Sequence, residues 1–152
     1  MLDITMFFSE NDRVTIYNPG TCNPQGRHIL YWMQRAQRGH ENAALNAAIE
    51  LGNALELPIV VVFVLTEFEA ANLRHYTFML EGISVVSRDL RDRGTPFIIR
   101  RGKPVEQILH MARELQAAAI ICDESELRTP RAWRDEVRKH ALDPRAWNYS
   151  LE

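Results

Sequence analysis

The sequence predicts a single α/β domain: a doubly wound, mostly parallel sheet in three α/β/α layers. Three observations carry that expectation. Short β-prone apolar runs alternate four times with segments of helical period, joined by brief connections. Residues 59–65 are continuously apolar, as a strand covered on both faces of a parallel sheet must be. The chain has 152 residues, the size of one domain, with no internal repeat or low-complexity segment. Alternation of this kind implies right-handed crossovers.

The elements follow in order. Residues 1–27 are rich in turn formers (Asn18-Pro19-Gly20, Asn23-Pro24, Gly26) and read as an irregular leader with a short strand at 14–17. His28-Ile29-Leu30-Tyr31-Trp32-Met33 is the first strand of the main domain, 28–141. Residues 41–55 carry Ala44, Leu45, Ala48, Ile49, Leu51 and Leu55 on a helical stripe, with Asn42 or a neighbour as cap and Pro58 as stop. After the 59–65 strand a long helix spans about 70–93, ended by Gly94 and Pro96. Its Tyr76, Leu80, Ile83 and Leu90 recur at helical spacing and are expected in the core. Residues 97–99 form a third strand, and Pro104 opens a helix with Val105, Ile108, Leu109, Ala112 and Leu115 on one face. Residues 117–122 form the fourth strand, and Pro130 opens a last helix over 131–141. A doubly wound domain then ordinarily adds another strand. Residues 142–149 carry no β-branched run, so the 142–152 tail reads as cut short, with Leu151-Glu152 resembling a cloning remnant.

Composition excludes several classes. With 18 basic and 20 acidic residues the net charge is −2, which argues against gripping nucleic acid by bulk positive charge. Cys22 and Cys122 are far apart without metal or redox spacing, and read as a buried small hydrophobe and a loop thiol. No run reaches the roughly 18 apolar residues of a membrane span. The first residues lack signal-peptide character, so the protein reads as soluble and cytoplasmic.

In an open parallel sheet, ligands sit beyond the carboxyl ends of the strands, near the point where strand order reverses. That rule selects the segments starting at Trp32, Thr66 and Asp123, which offer aromatic surface, amides, carboxylates and guanidinium groups. The mixture suits a planar heteroaromatic ligand better than a polyphosphate. No GxGxxG or GxxxxGK[ST] is present, and Gly102-Lys103 reads as a turn with a solvated charge. His40, His75 and His110 lack paired-ligand spacing. Asp123 and Glu124 end a buried strand and are open to acid–base chemistry, to capping, or to pairing with Arg128 and Arg131. Trp133 reads as a packing aromatic.

Three segments resemble class II DNA photolyases. They are residues 27–38, Arg-His-Ile-Leu-Tyr-Trp-Met-Gln-Arg-Ala-Gln-Arg; residues 71–82, Ala-Asn-Leu-Arg-His-Tyr-Thr-Phe-Met-Leu-Glu-Gly; and Cys122-Asp123-Glu124 with Leu127-Arg128 and Arg131-Ala132-Trp133. The resemblance implies a Rossmann-like N-terminal domain that packs on a helical domain of the same polypeptide. In such enzymes the helical domain binds FAD and the damaged DNA, and performs the light-driven repair. The N-terminal domain holds an antenna chromophore (a deazaflavin, flavin or folate). Carried onto this chain, the chromophore site falls on Trp32, Met33, Gln34, Arg35, Thr66, Glu67, Asp123, Glu124, Leu127 and Arg128. No FAD-binding or catalytic residue is assigned, so the chain is expected to be inactive alone and to self-associate through the face left for the helical domain. The alternative is a stand-alone Rossmann-like binder of a flavin or nucleotide. A self-sufficient enzyme has the least support, because no catalytic set can be assembled.

Overall fold

A computed structural model of the chain describes residues 2–141. Its strands are β1 (His28–Met33), β2 (Ile59–Leu65), β3 (Phe97–Arg101) and β4 (Ala117–Cys122), all parallel and ordered β3-β2-β1-β4. The helices are α1 (Ile4–Phe7), α2 (Ala43–Leu55), α3 (Leu73–Asp92), α4 (Pro104–Glu114) and α5 (Arg128–Ala141). The expected doubly wound parallel sheet is therefore present. The residues expected to lack a closing strand, 142–149, lie outside those described.

The pleat of the two central strands divides the interior. Ile29, Tyr31, Met33, Val61 and Phe63 face α2, α3 and the leader, whereas Leu30, Trp32, Val60, Val62 and Val64 face α4 and α5. Each fully buried aliphatic side chain contributes about 1.5–3 kcal/mol of transfer free energy. With both faces of β1 and β2 covered, their near-continuous apolar runs are explained. β3 lies at one edge, and its last two residues are Arg100 and Arg101; charge on an edge discourages pairing with another chain.

Helix ends follow local chemistry. Asn42 caps α2 by accepting from the Leu45 N–H, and Asn72 forms a capping box with His75. Pro104 occupies the first turn of α4, where its missing N–H costs nothing. Gly94 follows α3 with φ +71, a left-handed turn that glycine enters without strain.

Four expectations are corrected. Residues 14–17 form no strand; the leader instead opens with α1, capped by the Asp3 side chain, and reaches the sheet through irregular backbone. The last helix starts at Arg128, because Pro130 fits within a first helical turn as well as at its start. The long helix is shorter at both ends, Leu73–Asp92. Leu80 is 44% exposed and lies off the buried stripe of Ile83, Val86 and Leu90. Both cysteines are free, as expected. Among the described residues no helix is long and apolar enough to cross a membrane.

Candidate functional site

Strand order reverses between β1 and β4, whose carboxyl ends lie side by side with Trp32 opposite Cys122. The chain crosses this switch point with one side chain. Asp123, immediately after β4 and only 7% exposed, reaches the loop that leaves β1. Its Oδ2 accepts three successive backbone N–H groups, from Gln34 (2.8 Å), Arg35 (2.8 Å) and Ala36 (3.1 Å). Its Oδ1 accepts the Tyr31 hydroxyl at 2.7 Å. Tyr31 in turn accepts from Asn42 Nδ2 at 3.0 Å, and the same amide nitrogen donates to the carbonyls of Ala36 and Arg38. Asn42 thus ties the start of α2 to the β1 loop, and Asp123 ties that loop to β4. A buried carboxylate with this many donors is held in place, because each lost partner would leave an unsatisfied polar group.

Glu124 organises the outer wall. Its Oε2 accepts the Tyr17 hydroxyl at 2.7 Å and its Oε1 accepts Arg134 Nη1 at 2.6 Å. The Arg134 guanidinium lies over the Tyr17 ring, 4.3 Å from its centroid, a cation–π geometry. Leader, β4 end and α5 are thereby clamped together. Glu124 pairs with Arg134 rather than with Arg128 or Arg131, which the sequence had offered. One helical turn separates Arg131 from Arg134, and the clamp forms on the side of α5 that faces the leader.

These groups border a groove of about 1410 Å³. Its volume exceeds the ~300–1,000 Å³ of ordinary ligand pockets because it continues along the outer edge of β4, between Ala47 and Glu50 of α2 and Val137 and Arg138 of α5. The leader pairs with the beginning of that edge, through Asn23 N–H to Ala118 O and Arg27 N–H to Gln116 O. Gly26 lies so close to the Ala118 backbone that any side chain there would collide.

The ten residues marked from the sequence separate in space. Trp32, Arg35, Asp123 and Glu124 line the groove. Met33 is buried in the α2/α3 side of the core. Gln34 supplies its backbone to Asp123, while its buried side-chain Nε2 has no hydrogen-bond partner. Thr66 and Glu67 follow β2, one strand further from the switch point, and do not line the groove; Thr66 O accepts the Tyr76 hydroxyl instead. Leu127 (65% exposed) lies just before α5 and Arg128 begins it, both outside the groove. Tyr17, Tyr31, Asn42 and Arg134 complete the site without having been marked for it, since Asn42 was read as a helix cap alone. Tyr17 is 107 positions from Glu124 and Tyr31 is 92 from Asp123, so no local pattern announces those pairs, whereas Arg134 is 10 positions from Glu124 and Asn42 is 11 from Tyr31.

The titratable groups are poised to stay neutral or paired. Burial, then the neighbouring Asp123 charge, pushes the Cys122 thiol up to about 12, which suppresses the nucleophilic thiolate. Burial, then the same carboxylate, raises Tyr31. Burial and the hydrogen bond to Glu124 push Tyr17 up to about 12. Among the described residues no group of His, Cys, Asp and Glu could hold a metal ion. Asn18 Oδ1 and Arg134 Nε, both on groove-lining residues, are buried without partners. A wall of aromatic and guanidinium side chains fits a planar heterocycle with a polar edge.

Residues 29–146 match the DNA photolyase family. The chain is 39% identical over 127 residues to a deoxyribodipyrimidine photo-lyase from Methanothermobacter thermautotrophicus, covering 83% of this chain and 28% of that protein. It is 33% identical over 135 residues to one from Arabidopsis thaliana, covering 86% of this chain and 27% of that protein. The chain therefore spans roughly a quarter of the length of these curated relatives. Among solved structures, a cryptochrome from Synechocystis sp. PCC6803 superposes with a TM-score of 0.64 at 16% identity, over 76% of this chain and 25% of that one. A universal stress family protein from Burkholderia pseudomallei does so with a TM-score of 0.52 at 21% identity, over 79% and 93%. Both likenesses speak to the fold.

Proposed function

This chain belongs to the DNA photolyase family, and from that premise we propose that it is the chromophore-binding, light-collecting and structural N-terminal module of a pyrimidine-dimer photolyase. On this reading the FAD site and the contacts with damaged DNA belong to a helical domain outside this chain. The observation that carries the reading is the convergence of Trp32, Arg35, Glu124, Tyr17 and Arg134 on the switch point between β1 and β4. Trp32, Arg35 and Arg134 would hold a deazaflavin, flavin or folate there, and such a group would supply the absorption of light.

The chain's own residues hold and shape that site. Asp123 and Asn42 fix the loop that bears Arg35, so its guanidinium is presented from a rigid backbone. Glu124 holds Arg134 against Tyr17, which fixes the guanidinium and the ring in the groove wall. The helical domain docks on the outward side of α3, where Phe78 is 80% exposed and Val85 half exposed beside a shallow depression bordered by Gln37 and Gly82. Exposed apolar patches of this kind mark interaction surfaces. Without the helical domain, the same patch drives self-association.

Titration of the chain with a deazaflavin, FMN, FAD, a folate and ATP tests the assignment. Saturable binding of at least one chromophore is expected. Saturable ATP binding with no chromophore binding would replace the antenna role by a stand-alone nucleotide-binding one.

A further inference from the structure

We propose that Asp123 is a built-in anion that fills the phosphate position of this crevice and so restricts the site to ligands that bring no phosphate there. The inference deepens the chromophore reading and rests on it for the identity of the site, but its core concerns the protein alone. Successive backbone N–H groups that converge on one point form a nest, a general cradle for anions. In doubly wound folds the first strand-to-helix turn is where a ligand's phosphate meets such backbone. Here the turn after β1 offers that nest in the N–H groups of Gln34, Arg35 and Ala36, all aimed at one oxygen within 2.8–3.1 Å.

The oxygen is the chain's own. It arrives from the end of β4, across the switch point, on a carboxylate that is almost wholly buried. The second carboxylate oxygen is held by the Tyr31 hydroxyl, itself held by the buried Asn42 amide. A phosphate could enter the nest only by expelling this carboxylate from four hydrogen bonds, and a phosphate beside it would meet a like charge. The absence of a glycine-rich phosphate loop from the sequence is consistent with this. The nest survives, with its anion supplied internally.

The test compares the parent chain with Asp123→Ala and Asp123→Asn. Thermal unfolding is followed as formate or inorganic phosphate replaces chloride at constant ionic strength. Formate and phosphate are expected to raise the unfolding midpoint of Asp123→Ala, or to refold it if it is unfolded in chloride, and to leave the parent unmoved. Asp123→Asn, whose side chain still fills the nest, is expected not to respond. In a second arm, riboflavin and FMN, which differ by one phosphate, are titrated into each protein. The parent is expected to bind them within about threefold of each other, and Asp123→Ala to favour FMN by at least about tenfold. An Asp123→Ala chain that neither anion stabilises or refolds overturns the proposal. So does a parent that binds FMN at least tenfold tighter than riboflavin with inorganic phosphate competing. If neither the flavins nor a deazaflavin nor a folate binds the parent, the chromophore reading is what fails, and the formate arm still decides the role of Asp123.

Discussion

The Tyr31 hydroxyl donates a 2.7 Å hydrogen bond to Oδ1 of Asp123, joining the two strands between which the order of the sheet reverses. The other oxygen of that carboxylate gathers three backbone N–H groups of the β1 loop. One side chain therefore carries the structure of the switch point, and its removal has a calculable consequence. Asp123→Ala leaves four donors without their acceptor in a buried place, and a single unsatisfied buried donor costs about 1–3 kcal/mol. Urea denaturation is expected to show a loss of about 2–4 kcal/mol. A loss below about 0.5 kcal/mol, the size of an ordinary surface change, would contradict this account.

Asn42 combines a helix cap with a loop anchor. Its side chain accepts from the Leu45 N–H and donates to the carbonyls of Ala36 and Arg38 and to the Tyr31 oxygen. Caps alone are worth about 1 kcal/mol. Asn42→Ala is expected to cost more than a cap, about 2–3 kcal/mol, while Asn42→Asp restores the cap and leaves the carbonyls unpaired. An Asn42→Asp chain as stable as the parent would show that the loop anchor contributes nothing.

The Tyr17 clamp predicts a defined alkaline sensitivity. Burial, followed by the hydrogen bond to Glu124, raises Tyr17 from 10.0 to about 12. A group raised in the folded state stabilises fully below its unfolded value, and the benefit fades as pH climbs through the folded value. Stability is thus expected to decline between pH 10 and about 12 as the unfolded chain releases the proton first. Tyr17→Phe should flatten that part of the profile without removing the decline due to Tyr31, also raised by burial. Denaturation across this range, with the tyrosinate followed by ultraviolet difference absorbance, checks it. An unchanged profile in Tyr17→Phe would contradict the clamp.

The outward side of α3 predicts a solution behaviour. Phe78 and Val85 are exposed about two helical turns apart, with open space over Gly82 between them. Phe78→Asp is expected to abolish concentration-dependent association in sedimentation while changing stability by no more than about 0.5 kcal/mol, as for exposed sites generally. Persistent association would move the docking face elsewhere.

Much of the fold was legible in the sequence because it rests on local signals. The β-branched 59–65 run, the Ala-rich stripe before it and the Gly94 and Pro104 punctuation each report their own element. The four strands and the helices between them follow from these marks. The leader was less legible: α1 has four residues, too few to display a period, and residues 14–17 look β-prone yet find no strand to pair with. The site was legible to the level of strand ends. The switch-point rule found Trp32, Arg35, Asp123 and Glu124, but spread equally to Thr66 and Glu67, since a sequence does not reveal which strands are neighbours. Tyr17 and Arg134 stayed hidden for the same reason, since both meet Glu124 through tertiary packing alone.

The central claim is that the crevice at the ends of β1 and β4 binds a planar chromophore against Arg134. Its most direct test is a fluorescence titration of the parent chain, Arg134→Met and Arg101→Ala with a deazaflavin. Arg101 is exposed at the end of β3, two strands from β1. The account predicts saturable one-to-one binding that weakens at least about tenfold in Arg134→Met and is unchanged in Arg101→Ala. Absence of saturation in the parent with a deazaflavin, a flavin and a folate alike, or equal affinity in all three proteins, would contradict it.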